Sequence, residues 1–263
     1  MLARYDVATM TPDTTPESPG LMQMYDVGIA SLVARDAAAL AEVARHLGRP
    51  EAGVLDERAS RMATLVQSHL WDSSSRAFLN KLPHGPFVRR VTPTSFYPLL
   101  TRAPTDEQVE ATISAWLTNR SRFCVRPAHS DPGESSSRLD YSDGPEDEGE
   151  PPPMHDCYWA LPSVAADDPS FRVVHSYWRG LVWGPMVFIT YWALAEYDHL
   201  PTARAARRGL AQQSARLLLY HWRRSRHICE NYSPVRHEPD CTGMRFYHWG
   251  ALLGYVALLE AGH

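Results

Sequence analysis

Glu230 stands in the run Cys229-Glu230-Asn231-Tyr232-Ser233-Pro234, which is closed by Thr242-Gly243 and then Phe246-Tyr247-His248-Trp249-Gly250. One carboxylate is thus set among aromatic and hydrogen-bonding side chains, between two apolar helical runs. Such a mixture suits a sugar. Aromatic faces stack on sugar CH groups, polar tips read hydroxyls, and a carboxylate can activate water. A second cluster, Tyr177-Trp178-Arg179-Gly180-Leu181-Val182-Trp183-Gly184-Pro185, has the same character and also opens a helix. Either cluster alone fits equally well as aromatic packing at a helix end, with one polar tip outward. The competing reading of Glu230 is an acid that caps a helix or pairs with Arg224 or Arg226.

The elements that would position these residues are helices. Leu32, Val33, Leu40, Val43 and Leu47 recur at helical spacing across Ser31 to Leu47, and Gly48 is a natural stop. A second helix is expected from Pro50 or Glu51 to about Leu70. Thr105-Asp106-Glu107-Gln108 is a capping-box pattern and predicts a helix from Thr105 to Leu117. Val182 to Tyr197 and Pro201 to Trp222 read as a helix pair, Arg245 to Ala261 as the last helix, and Thr94 to Thr101 as a further short one. That makes about seven helices with little strand. Asp26 reads as the cap of the first helix.

The chain has 263 residues, 44% hydrophobic, with a net charge of −4, enough apolar material for a large core. The slight acidity argues against nucleic acid as the main partner. Lys81 is the only lysine, which reads as coding bias. No apolar run reaches the length of a membrane span, and Met1 to Gly20 shows no secretory pattern, so a cytoplasmic location is favoured and no membrane partner is expected. Ser130 to Pro153 carries a run of acids ending in Pro151-Pro152-Pro153, and reads as a disordered surface insertion at about 130–153 within a single domain of residues 1–263. Free buried thiols are the favoured state of the four cysteines, with disulfides across Cys229/Cys241 and Cys124/Cys157 as the alternative. A zinc site from His221, His227, Cys229, His237 and Cys241 matches no closed spacing, so no metal and no cofactor are expected. Asn119-Arg120-Ser121 and Asn231-Tyr232-Ser233 are formal glycosylation sequons.

Four stretches, in order, carry a family resemblance. They are Tyr25-Asp26-Val27-Gly28-Ile29-Ala30-Ser31-Leu32, Thr92-Pro93-Thr94-Ser95-Phe96-Tyr97-Pro98-Leu99, the Tyr177-Trp178-Arg179-Gly180 block, and the Glu230-Asn231-Tyr232 to His248-Trp249-Gly250 block. Together they resemble the catalytic domain of glycoside hydrolase family 63. Cys157-Tyr158-Trp159-Ala160-Leu161-Pro162-Ser163 and Asp168-Pro169-Ser170-Phe171 bring the mannosylglycerate-hydrolase-like branch nearest. The resemblance runs from about Arg4 to Gly262.

It implies an all-α fold, an (α/α)6 toroid. Seven helices make only a partial, C-terminal portion of twelve, which would leave apolar helix faces exposed and make self-association plausible. It also implies inverting hydrolysis of an α-linked glucoside or mannoside, mannosylglycerate or an oligosaccharide among them, with Glu230 as general base. Tyr177, Trp178, Arg179, Trp183, Tyr232, His248 and Trp249 would contact the sugar, Trp178 and Trp183 as stacking walls. Arg179 could instead orient Glu230 or form a structural ion pair, and His248 could be a core histidine. Val187 stands where the family often has Asn. The family's general acid lies in a Ser-Gly-x-Asp-Asn-Ser-Pro stretch that would fall at or before Met1, since Arg4-Tyr5-Asp6 resembles the pair that follows it. Asp6 and Asp13 match nothing in it. The alternative function is therefore an inactive sugar-binding remnant without that acid. A terpene-cyclase-like toroid would need an acid-rich cavity motif, and Asp156-Cys157 and Asp167-Asp168 fit that poorly.

Overall fold

A computed structural model describes residues 24–128, 159–172, 176–234 and 246–262, with 14–15, 18–19, 241–242 and 244. The acidic stretch at about 130–153 lies outside the described residues. The chain divides into two compact units, Met1–Gln108 and Val109–His263.

Two-residue strands β1 (Thr14–Thr15) and β2 (Ser18–Pro19) pair antiparallel near the start of the first unit. The unit is then built on a helical hairpin, α1 (Val27–His46) and α2 (Ala52–His69). Asp26 does cap α1: its Oδ1 accepts from the Ile29 N–H at 2.8 Å. Asn80 Oδ1 accepts from the Val27 N–H at 2.8 Å, so a second orphan donor of the first turn is satisfied. The helix thus starts earlier than the apolar recurrence suggested. A short hairpin, β3 (Trp71–Asp72) with β4 (Ala77–Phe78), and a 3₁₀ helix from Pro93 to Thr101 complete the unit. Val27, Val66, Leu70 and Phe78 form a core cluster, with Ala30 and Trp71 packed on it. Asp72 caps the hairpin turn. Burial works to raise its pKa, but hydrogen bonds from Ser75 and Ser74, with Arg89 beside it, hold the carboxyl below its ordinary range.

The periodicity over Ser31 to Leu47 identifies a helix but not its inner face. The buried positions of α1 include Ser31, Ala34, Ala37, Ala41 and Ala44. Val33, Leu40, Val43 and Leu47 are exposed, as is Ile29. Small side chains let α1 approach α2 and the 3₁₀ helix closely, while the larger aliphatic residues are left on the outer face.

The helix predicted over Thr105 to Leu117 is α3 (Asp106–Thr112), continued by a π turn from Ile113 to Leu117. Its capping box forms: the Thr105 N–H donates to Gln108 Oε1 at 3.0 Å, and Thr105 Oγ1 accepts from the Gln108 N–H at 3.3 Å.

The second unit is dominated by α4 (Gly184–Ala195), α5 (Pro201–Ser225) and α6 (His248–Glu260), each packed against the other two. Strands β5 (Asn231–Tyr232) and β6 (Cys241–Thr242) form an antiparallel pair between α5 and α6. One polar cluster joins the three helices. The Tyr191 hydroxyl of α4 donates to Glu260 Oε2 of α6 at 2.9 Å. Arg207 of α5 donates to that same carboxylate, to the Tyr191 hydroxyl at 3.1 Å and to Asp198 at 3.1 Å. Burial and the Glu260 charge push the Tyr191 hydroxyl up to about 12, so it remains a donor. The Glu260 side chain is only 9% exposed. Replacing it with Ala leaves the Arg207 guanidinium without its main counter-charge, and removing one partner of such a pair costs about 3 kcal/mol. Urea unfolding of Glu260→Ala measures that loss.

Among the described residues, no helix is long and apolar enough to cross a membrane. The cysteines correct the sequence reading: Cys124 and Cys229 are disulfide-bonded, not free thiols. Of the two sequons, Asn231 is fully buried and out of reach of glycosylation in the folded chain.

Candidate functional site

Both aromatic clusters lie in the second unit, and the backbone stitches them together. Val182 is the middle rung. Its N–H donates to the Tyr232 carbonyl at 2.8 Å, its carbonyl accepts from the Tyr232 N–H at 3.1 Å, and it bridges Pro162 on its other side. Two residues each way from this rung lie Gly180 and Glu230. The Gly180 N–H donates to Ser163 Oγ at 2.9 Å. Gly180 holds φ +131°, and a Cβ there would meet the Phe171 ring at 2.9 Å, so only glycine fits.

Two more glycines set the helix ends against the loops. A Cβ on Gly184, at the start of α4, would lie 1.8 Å from the Trp249 carbonyl oxygen. One on Gly250, in the first turn of α6, would lie 1.9 Å from the Cys229 carbonyl oxygen and 2.9 Å from the Tyr232 hydroxyl. The backbone before Glu230 is therefore pressed directly onto α6.

On this frame the side chains divide into an open layer and a support beneath it. Tyr177 and Trp178, in a 3₁₀ turn from Ser176 to Trp178, are 42% and 51% exposed. The Trp178 ring lies on Trp183 with centroids 4.1 Å apart and planes at 15°. Trp183 is 1% exposed, and its Nε1 donates to the Tyr177 carbonyl at 2.9 Å. Trp249 meets Trp183 edge-on at 5.9 Å. Trp178 is thus the open face of this stacked pair, and Trp183 backs it. Tyr232 is fully buried, with the Cys229 N–H donating to its hydroxyl at 3.2 Å, and burial pushes that hydroxyl up to about 12. It holds the Glu230 loop from below.

Glu230 is half-buried, and the Tyr177 hydroxyl donates to its Oε1 at 2.5 Å across 53 residues of sequence. That bond is the main reason the Tyr177 hydroxyl is pushed up to about 12, followed by burial and the Glu230 charge. The arginines proposed as rival partners of Glu230 lie over aromatic rings: Arg224 over Tyr220 at 4.2 Å, and Arg226 over Trp222 at 6.0 Å. The Arg179 carbonyl accepts from the Arg172 N–H at 2.7 Å. His248 opens α6 in an exposed position, stacked on Tyr247 at 5.0 Å, so it is not a core histidine. Val187 is fully buried. Asp167 pairs with Arg122 at 2.9 Å and Asp168 caps the Ser170 turn, so these acids have structural work. Cys229, being in a disulfide, has no thiolate to give a zinc ion. His237 lies outside the described residues.

The sequence reading did not single out Ser163 or the packing of His221. His221 is buried behind the loop, its ring 5.1 Å from Tyr232. No spacing in the sequence marks it, because its neighbours come from another loop.

Residues 4–249 match the model of the mannosylglycerate hydrolase MGH1-like glycoside hydrolase domain. The chain belongs to this family. No curated protein sequence matches it. Solved glycosidases share its helical toroid fold. A family-63 mannosylglycerate hydrolase from Thermus thermophilus, in complex with glucose, is 18% identical with a TM-score of 0.60, over 91% of this chain and 48% of that one. The same enzyme in complex with Tris gives a TM-score of 0.61. The neutral trehalase Nth1 of Saccharomyces cerevisiae is 14% identical with a TM-score of 0.61, over 94% of this chain and 40% of that one. The chain thus spans about half the length of the Thermus enzyme and less of the trehalase.

Two outcomes follow for this member of the family. Gly250→Ala drives a methyl group into the Cys229 carbonyl; overpacking of this kind costs about 1–3 kcal/mol, read by urea unfolding, and moves Glu230 away from Tyr177. His221 is pushed down to about 4, mainly by burial and further by Arg224 and His227, from an ordinary 6.5. Between those values the unfolded chain binds a proton that the folded chain does not. Stability therefore falls as pH drops from 6.5 toward 4, by about 1.4 kcal/mol per pH unit at most. Urea midpoints across that range should lose this slope in His221→Gln.

Proposed function

We propose that this domain serves inverting hydrolysis of an α-linked glucoside or mannoside, a mannosylglycerate-like compound or an oligosaccharide, with Glu230 as general base. The observation that carries the reading is the juxtaposition of a half-buried carboxylate, fixed by Tyr177, with the exposed Trp178. Membership of a glycoside hydrolase family supports the reaction class, and the glucose complex of the Thermus relative supports the substrate class.

In this reading the sugar lies against Trp178. Glu230 Oε2 takes a proton from a water, whose oxygen attacks the anomeric carbon from the face opposite the leaving group. The glycosidic C–O bond breaks with inversion. The leaving oxygen needs a proton from a second carboxyl roughly 6.5–9.5 Å from the first, and no residue of this chain is assigned that role; Asp6 and Asp13 lie outside the described residues. Exposed Trp178 and His248, with half-buried Arg179, would read the sugar. Trp183, Trp249 and Tyr232 hold them in place.

An α-glycosyl fluoride tests the base without demanding the acid, because fluoride departs with little proton assistance. Proton NMR of α-glucosyl and α-mannosyl fluoride turnover should show the β-anomer first. Glu230→Gln should lower kcat by about 10²–10⁴-fold, the usual contribution of a general base. First release of the α-anomer, or an unimpaired Glu230→Gln, would falsify the proposal. Saturable sugar binding with no turnover by the wild-type chain would favour the inactive sugar-binding reading.

A further inference from the structure

Glu230 has three freely rotating side-chain bonds and sits on a loop, yet a general base must present one oxygen to one water. The mechanism needs something to hold it, and Tyr177 is built for that. Its ring sits edge-on against the stacked pair of Trp183, at 4.6 Å and 79°, and Trp178, at 5.3 Å and 85°. Its carbonyl is held by the Trp183 indole N–H at 2.9 Å. Trp183 is itself buried at the head of α4. The hydroxyl that emerges from this mount donates to Glu230 Oε1 at 2.5 Å.

We infer that Tyr177, which the sequence alone offers as a sugar contact, is instead the positioning residue of Glu230: its hydroxyl occupies Oε1 and leaves Oε2 as the only oxygen free to accept a proton from water. The inference rests on the general-base reading of Glu230. A hydrogen bond to a carboxylate favours its charged form, the form a base requires. The Tyr177 hydroxyl, pushed up to about 12, stays protonated at any ordinary working pH and so keeps donating. Sugar hydroxyls are left to the exposed Trp178 face and to side chains whose donors are not committed to Glu230.

The test compares wild type, Tyr177→Phe, Trp183→Phe and Glu230→Gln. Steady-state turnover of the α-glycosyl fluoride should show kcat of Tyr177→Phe reduced about tenfold to a hundredfold, the size expected for losing a hydrogen bond to a charged group, with KM within about twofold of wild type. Trp183→Phe, which frees the Tyr177 carbonyl while keeping an aromatic ring, should fall in the same direction by less. Proton NMR should show a strongly downfield hydroxyl proton in wild type that is lost in Tyr177→Phe. A raised KM with unchanged kcat would make Tyr177 a sugar contact and overturn the inference. Unchanged kinetics, or a wild-type spectrum without the downfield proton, would overturn it too. If Glu230→Gln is as active as wild type, the general-base reading itself fails, whatever Tyr177→Phe does. If wild type turns over no fluoride, that again counts against the reading of function. The NMR signal then still decides whether Tyr177 holds Glu230.

Discussion

The burial of one indole, Trp183, organises the site. Its ring is the surface on which Trp178 stacks and the wedge against which Tyr177 and Trp249 meet edge-on. A buried Trp must find an acceptor for its N–H or lose the cost of stripping it of water. Trp183 finds it in the Tyr177 carbonyl. That single bond fixes the short turn whose hydroxyl then reaches Glu230. The chain of consequence runs from a core residue through a backbone carbonyl to a phenol and finally to the carboxylate.

The same layer depends on backbones that nearly touch. Gly184 and Gly250 have no side chain because the Trp249 and Cys229 carbonyls occupy the space a Cβ would need. Val182 ties the two loops by a reciprocal pair of hydrogen bonds to Tyr232. Arg207, Glu260 and Tyr191 clamp α4, α5 and α6 to one another, with Glu260 at the opposite end of α6 from His248, so the three helices are held by ion pairing as well as by apolar packing. Gly184 lets the start of α4 approach Trp249 of α6, and Gly250 lets α6 approach the backbone before Glu230.

Much of this was legible in the chain itself. Helix positions followed from apolar recurrence and from capping residues, and the Thr105 capping box and Asp26 cap formed as their side-chain chemistry dictates. The grouping of Tyr177, Trp178 and Trp183, and of Glu230 and Tyr232, followed from their crowding within two short runs. Depth within the cluster was not legible, because Trp178 and Trp183 are the same residue type five positions apart. Only the fold decides that one is covered and the other open. The inner face of α1 was not legible for a related reason: close helix packing favours alanine, which carries a weaker periodic signal than the leucines and valines outside. The cysteines were misread because nothing local reports whether a thiol has a partner. The glycosidases that share the fold are about twice as long or longer.

A crystal structure of the protein with a bound α-glycoside would show whether Tyr177 holds Glu230 beneath the sugar. The expected complex has the sugar ring against the outer face of Trp178, the Tyr177 hydroxyl still on Glu230 Oε1, and a water between Oε2 and the anomeric carbon. A sugar bound elsewhere, or Glu230 turned away from Tyr177 to pair with an arginine, would contradict it.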